Sequence, residues 1–137
     1  MAVFCTIGVI SARDTYLRDA DALPRAAQIV LKKNFKSQVS LIKVEKDFGR
    51  ISEYEVIMTD GSEVGFDRDG NWKSVEVRSN SSVPKAFVLA PISRYVQTQH
   101  KGARIVGIER SANKYEVELS DGVDIEFALD GVFKRYD

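Results

Sequence analysis

The sequence predicts an α+β fold: a helix and a four-stranded antiparallel meander in tandem repeat, both helices on one face of a continuous sheet. Three observations carry this prediction. First, residues 54–66 hold Tyr-Glu-Val, Asp-Gly and Phe, continued by Asp69-Gly70 and Trp72. The same pattern returns over residues 115–127, continued by Asp130-Gly131 and Phe133, at one fixed offset. Such a self-match marks a duplicated unit. Second, apolar and polar residues alternate within each copy, the period of a half-buried strand, and Asp-Gly supplies the tight turns. Third, Leu23-Pro24 and Val83-Pro84 each open a segment of helical periodicity ahead of a copy. The expected organisation is a signal or lead-in segment over residues 1–20, a first α-β4 unit over 21–80 and a second over 81–137.

The first twelve residues are apolar and end in the small pair Ser11-Ala12, before the chain turns polar at Arg13-Asp14. This matches the apolar region of a secretory signal without its basic flank, and predicts a periplasmic or secreted protein. A buried N-terminal strand is the alternative. The run is too short to cross a bilayer, which takes about 20 apolar residues, so membrane insertion is not expected. Residues 13–21 are polar and expected to be a loose lead-in.

Leu23, Ala27, Val30, Leu31 and Phe35 fall on one helical face, predicting a helix that ends near Lys36-Ser37. Pro24 suits its start, where the first amides lack acceptors in any case. Strands are expected over residues 40–46, 53–59, 62–68 and 72–78, with a longer turn over 47–52. In the second unit Pro91 should kink or split the helical segment. Strands follow near 104–110, 114–120, 123–129 and 132–136.

Register can be predicted as well. A three-residue turn through Thr59-Asp60-Gly61, with Gly61 left-handed, puts Tyr54, Val56, Met58, Val64 and Phe66 on one face. Ser120-Asp121-Gly122 does the same for Tyr115, Val117, Leu119, Ile125 and Phe127. These residues should lie beneath the helices and leave the opposite face open. Trp72 has the opposite parity from Val75 and Val77, so Trp72 and its counterpart Phe133 are expected on the open side. A turn one residue different would bring both into the core.

Composition narrows the chemistry. Twenty Lys and Arg balance twenty Asp and Glu among the 137 residues, so no basic surplus exists to neutralise phosphates, and nucleic acid is not an expected partner. Cys5 is the one cysteine and His100 the one histidine, which excludes internal disulfides, thiolate clusters and His-based triads. The segment Asp67-Arg68-Asp69-Gly70-Asn71 begins like a calcium loop, but Trp72 and Arg78 stand where that loop needs Gly and Glu. A hairpin turn is the better reading, and no metal or cofactor is expected.

The open face is where the sequence places its candidate site. It should carry Glu53, Glu55, Glu63 and Asp67 with Ile57 among them, then Glu116, Glu118, Asp124 and Glu126, flanked by Trp72 and Phe133. Lys114 is the one cation expected on those central strands. Glu116 should face Glu126, and Glu118 should face Asp124, an arrangement that destabilises a sheet unless something relieves it. A basic protein or peptide partner is one such thing; the alternative is partial compensation by neighbouring Lys43, Arg78 and Arg135, with solvent screening the rest. Carboxylates in pairs could also serve an enzyme as acid and base, or belong to a structural envelope protein with no specific ligand.

Two Leu/Val-Pro helices, Tyr-Glu-Val strands, and Asp-Gly turns leading to Phe and then Trp72 or Phe133 together resemble the β-lactamase-inhibitor-like, PepSY-like family of secreted Bacteroides-type proteins. The resemblance spans residues 23–137. It implies a tandem α-β4 architecture, export, no catalytic residues, and a binding or inhibitor-like role without an established target.

Overall fold

The computed structural model describes residues 15–137, so the expected signal segment and Cys5 lie outside the described residues. A short strand, β1 (Thr15–Leu17), and a 3-10 turn at Ala20–Ala22 come first. The lead-in is therefore ordered in part, because β1 pairs antiparallel with the next strand through Thr15 opposite Val44 and Leu17 opposite Ile42.

Helix α1 (Arg25–Asn34) begins directly after Pro24 and buries Ala27 and Leu31, one turn apart. Lys32 and Lys33 sit in its last turn, where cations favour the negative end of the helix dipole. Four strands follow: β2 (Val39–Asp47), β3 (Arg50–Met58), β4 (Glu63–Asp67) and β5 (Trp72–Glu76). The turn expected over residues 47–52 is in fact only Phe48-Gly49, since Asp47 pairs with Arg50 and Lys46 with Ile51. Ser52 is left out of the pairing and instead hydrogen-bonds through Oγ to the Glu45 carbonyl.

Pro91 splits the second helical segment as expected. A 3-10 turn at Lys85–Phe87 precedes helix α2 (Ala90–Gln99), in which Pro91 occupies the first turn. Then come β6 (Ile105–Arg110), β7 (Tyr115–Leu119), β8 (Asp124–Phe127) and β9 (Phe133–Tyr136). The fold is α+β: among the described residues, one antiparallel sheet of nine strands in sequence order, with two α-helices. Strands β5 and β6 are neighbours although α2 lies between them in the chain, with Val75 opposite Ile108.

One hydrophobic cluster joins the helices to one face of the sheet. Leu23, Ala27 and Leu31 from the first helical region and Phe87, Ile92 and Val96 from the second meet Ile42, Val56, Val64, Phe66, Val117, Ile125 and Phe127. The Asp-Gly turns behave as predicted: Met58 N–H donates to Ser62 across three residues, and Gly61 has φ +90°. The next turn also tucks under a helix. A Cβ on Gly70, at φ +90°, would lie 2.9 Å from Pro24 Cβ and 3.0 Å from the Ala27 nitrogen.

Trp72 and Phe133 are the principal correction to the sequence reading. Both lie on the helix side. Trp72 pairs with Phe66 while Ser74 pairs with Gly65, so Lys73 is an extra residue in a bulge. Phe133 pairs with Phe127 while Arg135 pairs with Glu126, which makes Lys134 the extra residue. A bulged residue inverts the alternation. Trp72 and Val75 therefore share a face, and the Trp72 ring meets Phe87 edge-on at 5.1 Å. Arg110 caps that ring at 4.0 Å and donates from Nε to the Trp72 carbonyl. Phe133 stacks on Tyr95 of α2 at 4.8 Å.

Candidate binding surface on the open sheet face

The polar half of the strand alternation builds the opposite face. Pairing sets its side chains in rows that run across the strands. Ile57 lies opposite Glu63, Glu63 opposite Glu76, Glu76 opposite Gly107, Gly107 opposite Glu118, and Glu118 opposite Asp124. Four carboxylates thus stand in one row from β4 to β8, spanning about 19 Å at ~4.8 Å per strand. The adjacent row runs Tyr16, Lys43, Glu55, Gly65, Ser74, Glu109, Glu116, Glu126, Arg135, with a cation flanking the acids on each side. Side chains are small or missing near the middle, at Gly65, Ser74 and Gly107. The sheet is hollowed there into a concavity of about 800 Å³, lined by carboxylates from Glu45 and Glu55 through to Asp124 and Asp137.

The carboxylates differ in how they are held. Partial burial raises the Glu63 carboxyl above its ordinary range, and Glu55 and Glu76 push the same way. Glu118 is raised by burial, then by Asp124 and again by Glu76. Glu76 thus acts on both halves of the central row. At the ends of the face the charge is balanced. Lys73, the bulged residue of β5, pairs with Glu53, and that hydrogen bond chiefly raises the lysine.

Glu126 departs furthest from its predicted role. It is buried, with Arg135 at 2.6 Å, Lys134 at 3.3 Å and Lys114 at 3.4 Å. Burial pushes its carboxyl up, but the hydrogen bond from Lys134 and the charges of Arg135 and Lys114 prevail and hold it below the usual range. Glu126 is therefore a structural counter-ion. Its cross-strand neighbour Glu116 shares Lys114 at 3.7 Å. Asp67 likewise serves its own turn, accepting 2.9 Å hydrogen bonds from the Asp69 and Asn71 amides.

Of the predicted set, Glu55, Glu63, Glu116, Glu118 and Asp124 come together around the concavity. Ile57 sits at one end of the central row. Glu53 and Glu126 are neutralised at its flanks, and Trp72 and Phe133 are on the other side of the sheet. Sequence reasoning missed Glu45, Glu76, Glu109 and Asp137. Alternation along β5 and β6 could have placed Glu76 and Glu109, but their position in the rows depends on the β5–β6 pairing. Among the described residues no three His, Cys, Asp or Glu side chains converge closely enough to hold a metal ion. Nor, among those residues, is any helix long and apolar enough to cross a membrane.

Residues 52–135 match the family described as putative beta-lactamase-inhibitor-like, PepSY-like. Solved structures from Bacteroides share the fold at substantial identity. A putative periplasmic protein of unknown function from Bacteroides vulgatus is 34% identical with a TM-score of 0.85, over 90% of this chain and 98% of its own. A putative calcium-regulated periplasmic protein from Bacteroides thetaiotaomicron is 38% identical with a TM-score of 0.83, over 90% and 96%. A further putative periplasmic protein of Bacteroides vulgatus is 33% identical with a TM-score of 0.82, over 93% and 99%. No curated protein matches the sequence.

Proposed function

The chain belongs to the putative beta-lactamase-inhibitor-like, PepSY-like family, and we infer that it is an exported, non-enzymatic binding module whose open sheet face receives a basic protein or peptide. Its solved relatives are described as periplasmic, which supports export. The observation that carries the binding role is the central row of Glu63, Glu76, Glu118 and Asp124 in a concave face. Like charges directly opposite cost a sheet roughly 0.2–1 kcal/mol per pair. A cationic partner relieves that repulsion, and the field of the row speeds encounter. The units over residues 21–80 and 81–137 each supply two of the four carboxylates.

Two features favour binding over catalysis. The acids are strung out at strand spacing rather than aimed at one reacting atom, and the concavity is open to water. The same spacing bears on the relative described as calcium-regulated. Carboxylates set out in a row suit several separate cationic side chains better than a single ion. An inhibitor-like role is one form this binding could take.

The test pairs the parent with the double variant Glu63→Gln, Glu118→Gln. Each is used to capture partners from the envelope fraction of the producing bacterium, the captured protein is identified by mass, and association is measured at low and high salt. The parent should bind one basic protein or peptide with association that slows as salt rises, and the variant should bind at least tenfold more weakly. A variant that keeps the partner, with the same rate and salt dependence, removes the acidic row from the function.

A further inference from the structure

We propose that the tip of the β2–β3 hairpin is the apolar anchor of this binding surface, and that the partner is a folded protein presenting an apolar recess beside a basic patch. This rests on the reading of the open face above and specifies its partner. Strands β2 and β3 are nine residues each, the longest among the described residues. Among the described residues, the pairing of β1 with β2 runs to Val44, and β4 ends opposite Glu53. Beyond Glu45 and Glu53 the described pairing continues as β2 against β3, through Lys46 opposite Ile51 and Asp47 opposite Arg50, and it ends in a tip that reaches fully into solvent at Phe48.

Phe48 and Gly49 close the hairpin with φ values of +53° and +78°. Two positive φ angles in a two-residue hairpin loop define a type I′ turn, for which Asn-Gly or Gly-Gly is the ordinary choice. Among the described residues every other positive φ belongs to glycine. Phe48 is also fully solvent-exposed, at 101%. Backbone geometry and hydration therefore both disfavour phenylalanine here, and no contact within the fold offsets them. Hairpin closure does not require it either. The β6–β7 connection turns through Ser111, Ala112, Asn113 and Lys114, closed by the Ser111 amide donating to the Lys114 carbonyl. A strained, exposed aromatic has the character of a binding anchor that is desolvated only in a complex.

The shape and surroundings of the tip select the partner. A ring at the exposed tip of a hairpin is convex, so it needs a recess, which an extended peptide does not offer and a folded protein does. Glu53, opposite Glu45, is paired with Lys73, so the charge beside the tip is set by the concavity lined by acids, which begins at Glu45. The recess must therefore adjoin a cationic surface.

Two measurements test this. Phe48→Asn supplies the residue a type I′ turn prefers, so its Tm should rise by roughly 3–6 °C while capture of the partner falls at least tenfold. In parallel, p-benzoyl-phenylalanine placed at position 48 is photolysed in the envelope fraction and the crosslinked peptide identified by mass. The expected crosslink falls on an apolar residue lining a recess in one folded basic protein. A lower Tm for Phe48→Asn would show that the ring is already used within the fold and overturn the proposal. So would crosslinks to a second copy of this chain or to an extended segment. If Phe48→Asn captures the partner like the parent while Glu63→Gln, Glu118→Gln does not, the acidic face stands and the anchor falls. If both variants capture like the parent, both readings fail.

Discussion

Replacing Glu63 and Glu118 with glutamine should make the protein more stable, although it deletes two charged residues from a folded surface. Glu63 faces Glu76, and Glu118 faces Asp124. Each substitution removes one like-charge cross-strand pair, worth roughly 0.2–1 kcal/mol. The two sites are on β4 and β7, about 14 Å apart at ~4.8 Å per strand. That exceeds the screening length of ~8 Å at physiological salt, so the gains should nearly add. Glu76 couples weakly to both, since it raises each carboxyl, and this takes a little off the sum. The expected total is about 0.4–2 kcal/mol, or roughly 2–8 °C in Tm. Glutamine keeps the size and shape of the side chain, so the concavity itself is unchanged.

Urea denaturation at pH 7 measures the effect, once at low salt and once near 1 M sodium chloride. Because the gain is electrostatic, it should shrink in high salt, where screening acts over ~3 Å. Equal or lower stability of the variant at low salt, or a gain that salt leaves untouched, would refute the argument that these carboxylates repel one another.

Four further outcomes follow from the same structure. Glu63 and Glu118 are raised above their ordinary value of 4.5, so the folded state holds their protons more tightly than the unfolded one. Stability should therefore fall as pH rises from about 4.5 toward neutral, and the double glutamine variant should lose that fall in a pH series of urea midpoints. Asp60, Asp67 and Glu126 are lowered from 3.8, 3.8 and 4.5; their contribution is present above those values and should be lost as pH drops below them. Truncating Phe66 or Phe127, each 0% exposed, to alanine should cost about 3–5 kcal/mol by chemical denaturation. Gly70→Ala should cost about 1–3 kcal/mol, because a side chain is strained at positive φ and its Cβ would press on Pro24 and Ala27.

Much of this fold was legible because its signals are local. Tyr54, Val56, Met58, Val64 and Phe66 alternate strictly, and three-residue Asp-Gly turns carry the alternation across each hairpin. β1 was not legible. Thr15–Leu17 is too short to show a period, and it becomes a strand only by pairing with β2. The Phe48-Gly49 turn was hidden because phenylalanine occupies the place where asparagine would have announced a hairpin. Glu53, Glu55, Glu63, Glu116, Glu118 and Asp124 could be assigned to the open face by parity alone. Continuity of the central row could not. It passes from Glu76 to Gly107 and Glu118 across the β5–β6 pairing, which the chain reaches only after building α2.

The two bulges explain both the failure at Trp72 and Phe133 and the charge pattern of the site. An extra residue at Lys73 turns Trp72 inward onto Phe87, and an extra residue at Lys134 turns Phe133 inward onto Tyr95. Each bulge thereby removes an aromatic from the open face and contributes a lysine that reaches one of its acids, Glu53 in one case and Glu126 in the other. Both of those acids lie outside the central row. The lysines consequently balance charge at the margins, while Glu63, Glu76, Glu118 and Asp124 keep their mutual repulsion in the hollowed middle. A sheet arranged merely to tolerate its carboxylates would have spread the cations among them. Here the negative potential is left concentrated where the surface is concave, which is the arrangement a cationic partner can use.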